Sequence, residues 1–199
     1  MKTKNLLLPG LFLISAFVVS CKKDASSGTS SSLNGTYDFV SMDASTVSSV
    51  SYNDGNTQYD DITDAVWHSK NNTGTVTFDG KNLTSSNLAY SIDTTIKAYY
   101  YEDGVLQDSL DYAFSIDIPQ SSGSGTYKLV TADSIYFGGG SVFFNGSVTP
   151  SSPSGGRLKW DGDILYLTSS ASKDTTEMQY GVMALVHDEA TITVGLKKH

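Results

Sequence analysis

A chain of 199 residues with 13 Lys and Arg against 21 Asp and Glu carries a formal charge of −8. That balance argues against nucleic acid, which demands a basic footprint, and one cysteine excludes a disulfide framework within the chain. Twelve Tyr, eight Phe and eighteen Gly, set among many Thr, Val and Ile, point instead to strands and turns.

Residues 1–5 hold Lys2 and Lys4, and residues 6–19 form an apolar run interrupted only by Pro9-Gly10 and Ser15. This is the plan of a secretory signal, with a basic end, an apolar core and a small residue before the cut. The run is too short for the roughly 20 residues that a bilayer-spanning helix needs. Val18-Val19-Ser20-Cys21 resembles the bacterial lipobox, in which the cysteine becomes the first mature residue and carries fatty acyl chains. The resemblance implies removal of residues 1–20 and anchoring through lipid on Cys21. Several acyl chains hold durably where one would be marginal. Cys21-Lys22-Lys23-Asp24 is similar to the short charged signature that follows the lipid cysteine in Bacteroidetes lipoproteins. That implies an outer-membrane address, on either the surface or the periplasmic face. The two lysines also suit anionic headgroups.

Residues 21–32, rich in Ser and Gly after the cysteine, read as the lipidated N-terminus and a flexible linker. The domain is expected over residues 33–199. Tyr37 and Phe39 alternate with Thr36, Asp38 and Val40, which predicts a first strand with one apolar face. Residues 43–72 carry no clear period. Asn53-Asp54-Gly55 marks a turn, and the spacing of Ile62, Ala65 and Val66 behind Asp60 or Asp61 suggests a short helix over 60–68.

Beyond residue 73 the alternation steadies. Leu88, Tyr90 and Ile92 share a face, as do Ile96, Ala98 and Tyr100, and then Tyr112, Phe114, Ile116 and Ile118 after the turn at Glu102-Asp103-Gly104. Residues 119–125 are expected to break the sheet. Gly138-Gly139-Gly140 reads as a bend ahead of a short strand at Val142-Phe143-Phe144, and residues 149–156 as an exposed loop. Asp161-Gly162 is a two-residue hairpin turn, and Asp188-Glu189-Ala190 is expected to join the last two strands. Eight to ten strands with short connections predict an all-β, antiparallel fold, either an up-and-down barrel or a β-sandwich. Closure abolishes aggregation-prone edges.

Leu33-Asn34-Gly35-Thr36-Tyr37-Asp38-Phe39-Val40-Ser41, the late hairpin at residues 160–168 and the last strand at 191–197 resemble bacterial lipocalin-like lipoprotein domains. The resemblance implies an up-and-down barrel with an apolar interior, and brings no catalytic residues with it.

Chemistry-bearing motifs are sparse. His68, His187 and His199 show no metal-ligand spacing. Asp60, Asp61, Asp64 and His68 would gather on one helical face, where acids are also favoured by the dipole. Asp161-Gly162-Asp163 lacks the rest of a calcium loop, and His187-Asp188-Glu189 has no nucleophile elbow to serve. No catalytic residue, metal or cofactor is expected, and the chain reads as a monomer and a non-enzyme, the alternative being an uncharacterised hydrolase whose turnover would depend on His187. Tyr37, Phe39, Tyr112, Phe114, Trp160 and Tyr166 lie on strand faces, where they fill a barrel or line a cavity for a small apolar or amphipathic ligand. Tyr99, Tyr100 and Tyr101 must split between two faces, and an outward tyrosine suits a glycan or a protein. The leading expectation is therefore ligand binding inside the barrel, and the second is a non-enzymatic adhesion, glycan-binding or assembly module.

Overall fold

The computed structural model describes residues 33–141 and 154–199. Eight antiparallel strands follow one another around a closed barrel, each paired with its sequence neighbours and β8 with β1. They are β1 (Gly35–Asn53), β2 (Gln58–Phe78), β3 (Asn82–Glu102), β4 (Val105–Thr131), β5 (Ser134–Ser141), β6 (Ser154–Asp161), β7 (Ile164–Gln179) and β8 (Val182–Lys198). The signal, Cys21, the linker, Val142-Phe143-Phe144 and residues 149–153 lie outside the described residues.

One end of the barrel, the base, holds the core. Tyr37, Phe39, Met42, Phe78, Leu165 and Leu196 meet there at 0–2 % exposure. They come from strands whose alternate residues face inward, so a period of two in the sequence becomes one filled interior. A register shift between Phe39 and Ser41 lets β1 keep that face, with Met42 and Ala44 continuing inward after Phe39. Tyr37 packs edge-on against Phe78 at 5.5 Å, and Phe78 against Tyr127 at 5.2 Å, the geometry aromatic quadrupoles prefer. The Tyr37 hydroxyl donates to the Leu33 carbonyl at 2.9 Å, which satisfies a polar atom that would otherwise be buried alone.

The opposite end is built from hairpins. Among the described residues β5 and β6 span eight residues each, while β1, β2, β3, β4, β7 and β8 are longer. Along these strands the outward face is mixed: Asp43, Ser45, Ser49 and Ser51 accompany Val47 on β1, and Asp60, Asp64 and His68 accompany Ile62 and Val66 on β2.

Five local expectations are corrected. Residues 154–156, expected at the end of an exposed loop over 149–156, open β6 and pair with β5. Residues 60–68 are strand, part of β2 laddered to β1 and β3; tertiary pairing overrides the helical spacing of Ile62, Ala65 and Val66. β4 runs through residues 119–125, because Pro119 falls at a register shift between the pairs Tyr90–Ile118 and Leu88–Ser121, where no regular ladder bond is lost. Gly138 lies within β5. A Cβ there would stand 2.4 Å from the Thr126 hydroxyl, so that glycine serves close packing rather than a bend. Residues 188–190 continue β8, and the hairpin turn is Tyr180-Gly181, both at positive φ.

Candidate functional site

Two of the three turns at the hairpin end are tied together. In the first, Asp54 Oδ1 accepts from the backbone N–H groups of Asn56 and Thr57 at 2.9 and 3.0 Å. The N–H groups of Thr57 and Asn56 hold its carboxyl below the usual range. In the second, Asp103-Gly104 adopts positive φ at both residues, the left-handed turn that matches strand twist. Asp103 then reaches back to β2: its N–H donates to the Gln58 carbonyl at 2.8 Å, and its Oδ1 accepts from the Gln58 N–H at 3.0 Å.

That clasp fixes Gly104 and Tyr101 beside β2 and forms a depression of about 220 Å³ on the outer surface, lined by Ser49, Ser51, Asp60, Ile62, Tyr101 and Gly104. Ser49 and Ser51 point outward because Val50 and Tyr52 point inward. Ser51 lies opposite Asp60, and Ser49 opposite Ile62, while Tyr101 lies opposite Asp60 on β3. Ser51 donates its hydroxyl to Asp60 Oδ1 at 2.6 Å, and Gln58 Nε2 donates to the same oxygen at 3.3 Å. Among the described residues nothing takes Asp60 Oδ2. The cleft therefore offers an aromatic wall, two hydroxyls and a carboxylate acceptor, with Ile62 as an apolar patch. Tyr99, outward and half-buried, stands next to it opposite Ile62.

The inner side of the same strands is different. Tyr52 and Tyr59 stack at 5.0 Å, Tyr59 and Tyr100 at 6.2 Å, and Tyr180 closes on Tyr52 at 5.5 Å. Of the four, Tyr52 packs against the small apolar cluster of Val50, Ala184 and Val186. The Tyr100 hydroxyl donates to Glu102 at 2.7 Å. Burial, then the charge of Asp61, pushes the Tyr52 hydroxyl up to about 12. Asp61 is itself raised, by burial first and by Asp60 second.

The six aromatics singled out from sequence do not meet around one space. Tyr37 and Phe39 are core, at 0 % and 2 % exposure, and fill the base. Tyr112 and Phe114 are half-buried on the inner face of β4. Trp160 closes the base rim, 6.2 Å from Tyr37 and 42 % exposed. Tyr166 points outward, between the inward Leu165 and Leu167, and lies against Gly195.

The acidic cluster is also taken apart by the strand. Asp60, Asp64 and His68 face outward in a line and Asp61 faces inward, and His68 Nδ1 pairs with Asp43 across the β1–β2 ladder at 2.5 Å. No group of three His, Cys, Asp or Glu residues is placed to hold a metal among the described residues. His187 and Asp188 part in the same way. His187 Nδ1 meets Asp174 at 2.6 Å on the outer face, whereas Asp188 is buried on the inner face and accepts from Ser48 at 2.7 Å.

The residues that sequence reasoning missed are Ser49, Ser51 and Ile62. For the two serines the signal was the alternation Ser49-Val50-Ser51-Tyr52, legible once that segment is read as a strand. Comparison with protein-family models, with curated proteins and with solved structures finds no match to this chain, so the functional reading rests on the cleft itself.

Proposed function

We propose that the chain is a lipid-anchored cell-envelope protein whose barrel binds a small polyhydroxylated, sugar-like ligand in the cleft beside Tyr101, without turnover. The observation that carries this reading is the lining: a tyrosine wall and a carboxylate beside two serine hydroxyls. A sugar has apolar C–H faces for the ring and hydroxyls for the polar groups, and an aromatic body with a polar rim answers both. The anchor is the acylated Cys21 at the end of the signal-like segment, with the outer membrane as its address and residues 22–32 as tether.

A second reading, a lipocalin-like barrel holding a small apolar or amphipathic molecule, draws on Tyr112 and Phe114, which are half-buried on the inner face of β4. The base offers it no room, since Tyr37 and Phe39 are packed core.

Titration of the purified protein with a panel of neutral and acidic oligosaccharides separates the two. Binding abolished by Tyr101→Ala and kept by Tyr112→Ala supports the cleft. Saturable binding of an apolar fluorescent probe that is lost on Tyr112→Ala, with no oligosaccharide bound, supports the interior.

A further inference from the structure

Lys128 and Tyr136 stand directly opposite each other on β4 and β5, and both face outward because Tyr127, Leu129 and Ile135 face the core. Arg157 and Lys159 flank the inward Leu158 on β6 in the same way. They lie opposite Ser134 on β5 and Tyr166 on β7. The result is a basic and aromatic wall beside the base rim, where Trp160 is 42 % exposed.

Charge is sorted along the barrel. Lys81, Lys128, Arg157, Lys159, Lys197 and Lys198 lie at or near the base turns and strand ends, with five acids, Asp38, Asp79, Asp133, Asp161 and Asp163. Toward the hairpin end three cations, Lys70, Lys97 and Lys173, stand against fifteen acids. Residues 142–153 hold no charged residue, so they leave this division unchanged. Most of the base acids are engaged locally. Asp38 meets His199 at 2.9 Å and Asp163 meets Lys197 at 3.2 Å. Asp133 accepts from the Thr131 hydroxyl at 2.6 Å, and Asp79 from the N–H groups of Lys81 and Asn82. Lys128, Arg157 and Lys159 make no ion pair among the described residues, and Asp24 is the one acid outside them.

The chain also enters at this end. Leu33 is buried at the base, with the Tyr37 hydroxyl on its carbonyl, and residues 22–32 join it to Cys21. Eleven residues reach at most about 40 Å, so lipid on Cys21 keeps the base near the bilayer. An anionic headgroup layer attracts Lys and Arg within a Debye length, and Trp and Tyr favour the same layer. The acids of the hairpin end are repelled from it, so both effects set one orientation.

We propose that the base of the barrel docks on an anionic lipid surface, with Lys128, Arg157 and Lys159 at the headgroups, Trp160 among them, and the cleft turned away. The proposal rests on Cys21 as the lipid anchor and adds the face that the anchored domain presents to the membrane.

The test places the lipidated chain in vesicles of phosphatidylcholine, with or without phosphatidylglycerol, that hold a trace of lipid spin-labelled at the headgroup. Quenching of Trp160, read as the component missing from Trp160→Phe, is expected to be at least about threefold greater in the anionic vesicles. It should be lost in 1 M salt and in the double variant Arg157→Glu, Lys159→Glu, and kept in Lys97→Glu. All four positions are exposed, so folding is retained. Equal quenching in both kinds of vesicle, or none in either while the protein stays bound, would overturn the proposal. So would self-association of the detergent-solubilised chain that the double variant abolishes, which would assign the base to a second copy. A chain found without lipid on Cys21 would fail the anchor reading alone. Added to the same vesicles from solution, it must still sediment with the anionic ones and not with the neutral ones, and failure to do so would overturn the docking face.

Discussion

Ser51 and Asp60 face each other across the β1–β2 ladder, and the Ser51 hydroxyl donates to Asp60 Oδ1 at 2.6 Å. A short bond to an ionised carboxylate is stronger than one between neutral groups, and here it fixes the orientation of an acceptor that opens on the cleft. Ser51→Ala is expected to lower stability by about 1 kcal/mol. It should also weaken ligand binding about tenfold, because the carboxylate loses its set direction. Urea unfolding and calorimetric titration of the same variant measure the two effects.

Tyr37 carries the core at the base. Tyr37→Phe keeps the ring against Phe78 but leaves the Leu33 carbonyl without the hydroxyl it accepts from. The expected loss is about 1–3 kcal/mol. Tyr37→Ala also opens a cavity and should cost about 3–5 kcal/mol. Shifts of the urea midpoint at constant slope would check both values.

The base was legible in the sequence for the same reason that it is stable. Tyr37 and Phe39 alternate with polar residues, and so do Leu88, Tyr90 and Ile92, because one face is buried and the other is solvated. Residues 43–72 gave no such contrast. In the second half of β1 the inner face carries Thr46 and Ser48 before Val50, and the outer face carries Val47 between Ser45 and Ser49, so each face mixes polar and apolar residues and the period blurs. Asp188 misled in a related way. An acid between Val186 and Ala190 looks like a turn, yet it sits on the inner face with Ser48 as its donor. The helix expected over 60–68 followed local spacing that two flanking strands overrule. At the cleft, the Tyr99–Tyr101 triplet marked the surface, but its serine partners lay in the stretch without a readable period.

The charge states on the two faces give opposite-signed mutational tests. Asp61 is raised by burial, with Asp60 adding to it. An acid whose folded pKa lies above its unfolded value binds its proton more tightly in the folded state, so stability falls as pH rises from the ordinary Asp range through the folded value. Asp61→Asn should therefore be more stable than the parent at pH 7, with the difference vanishing below about pH 4. Thermal unfolding against pH measures this.

His187 is raised by its hydrogen bond to Asp174, with the charges of Asp174, Glu189 and Asp188 adding to it. A base with a raised folded pKa contributes stability that is complete below about pH 6.5 and is lost as pH rises through the folded value. The pair is exposed, so the effect is small and screened by salt. His187→Gln should flatten the stability profile across that window at low ionic strength, and 1 M salt should flatten the parent's.

The anchor is tested at one atom. Cys21→Ala removes the only sulfur available for acylation by cysteine chemistry, and the variant is expected in the soluble fraction after cell disruption. Its retention with membranes would contradict the tether.

The proposed function has ligand held outside the barrel beside Tyr101 rather than within it. Calorimetric titration of the oligosaccharide panel against the parent, Tyr101→Ala, Asp60→Asn and Tyr112→Ala tests it most directly. Tyr101→Ala and Asp60→Asn are each expected to weaken binding at least about tenfold, the loss of roughly 1.4 kcal/mol, while Tyr112→Ala binds as the parent does. Parent-like affinity in Tyr101→Ala, with binding lost in Tyr112→Ala, would contradict it.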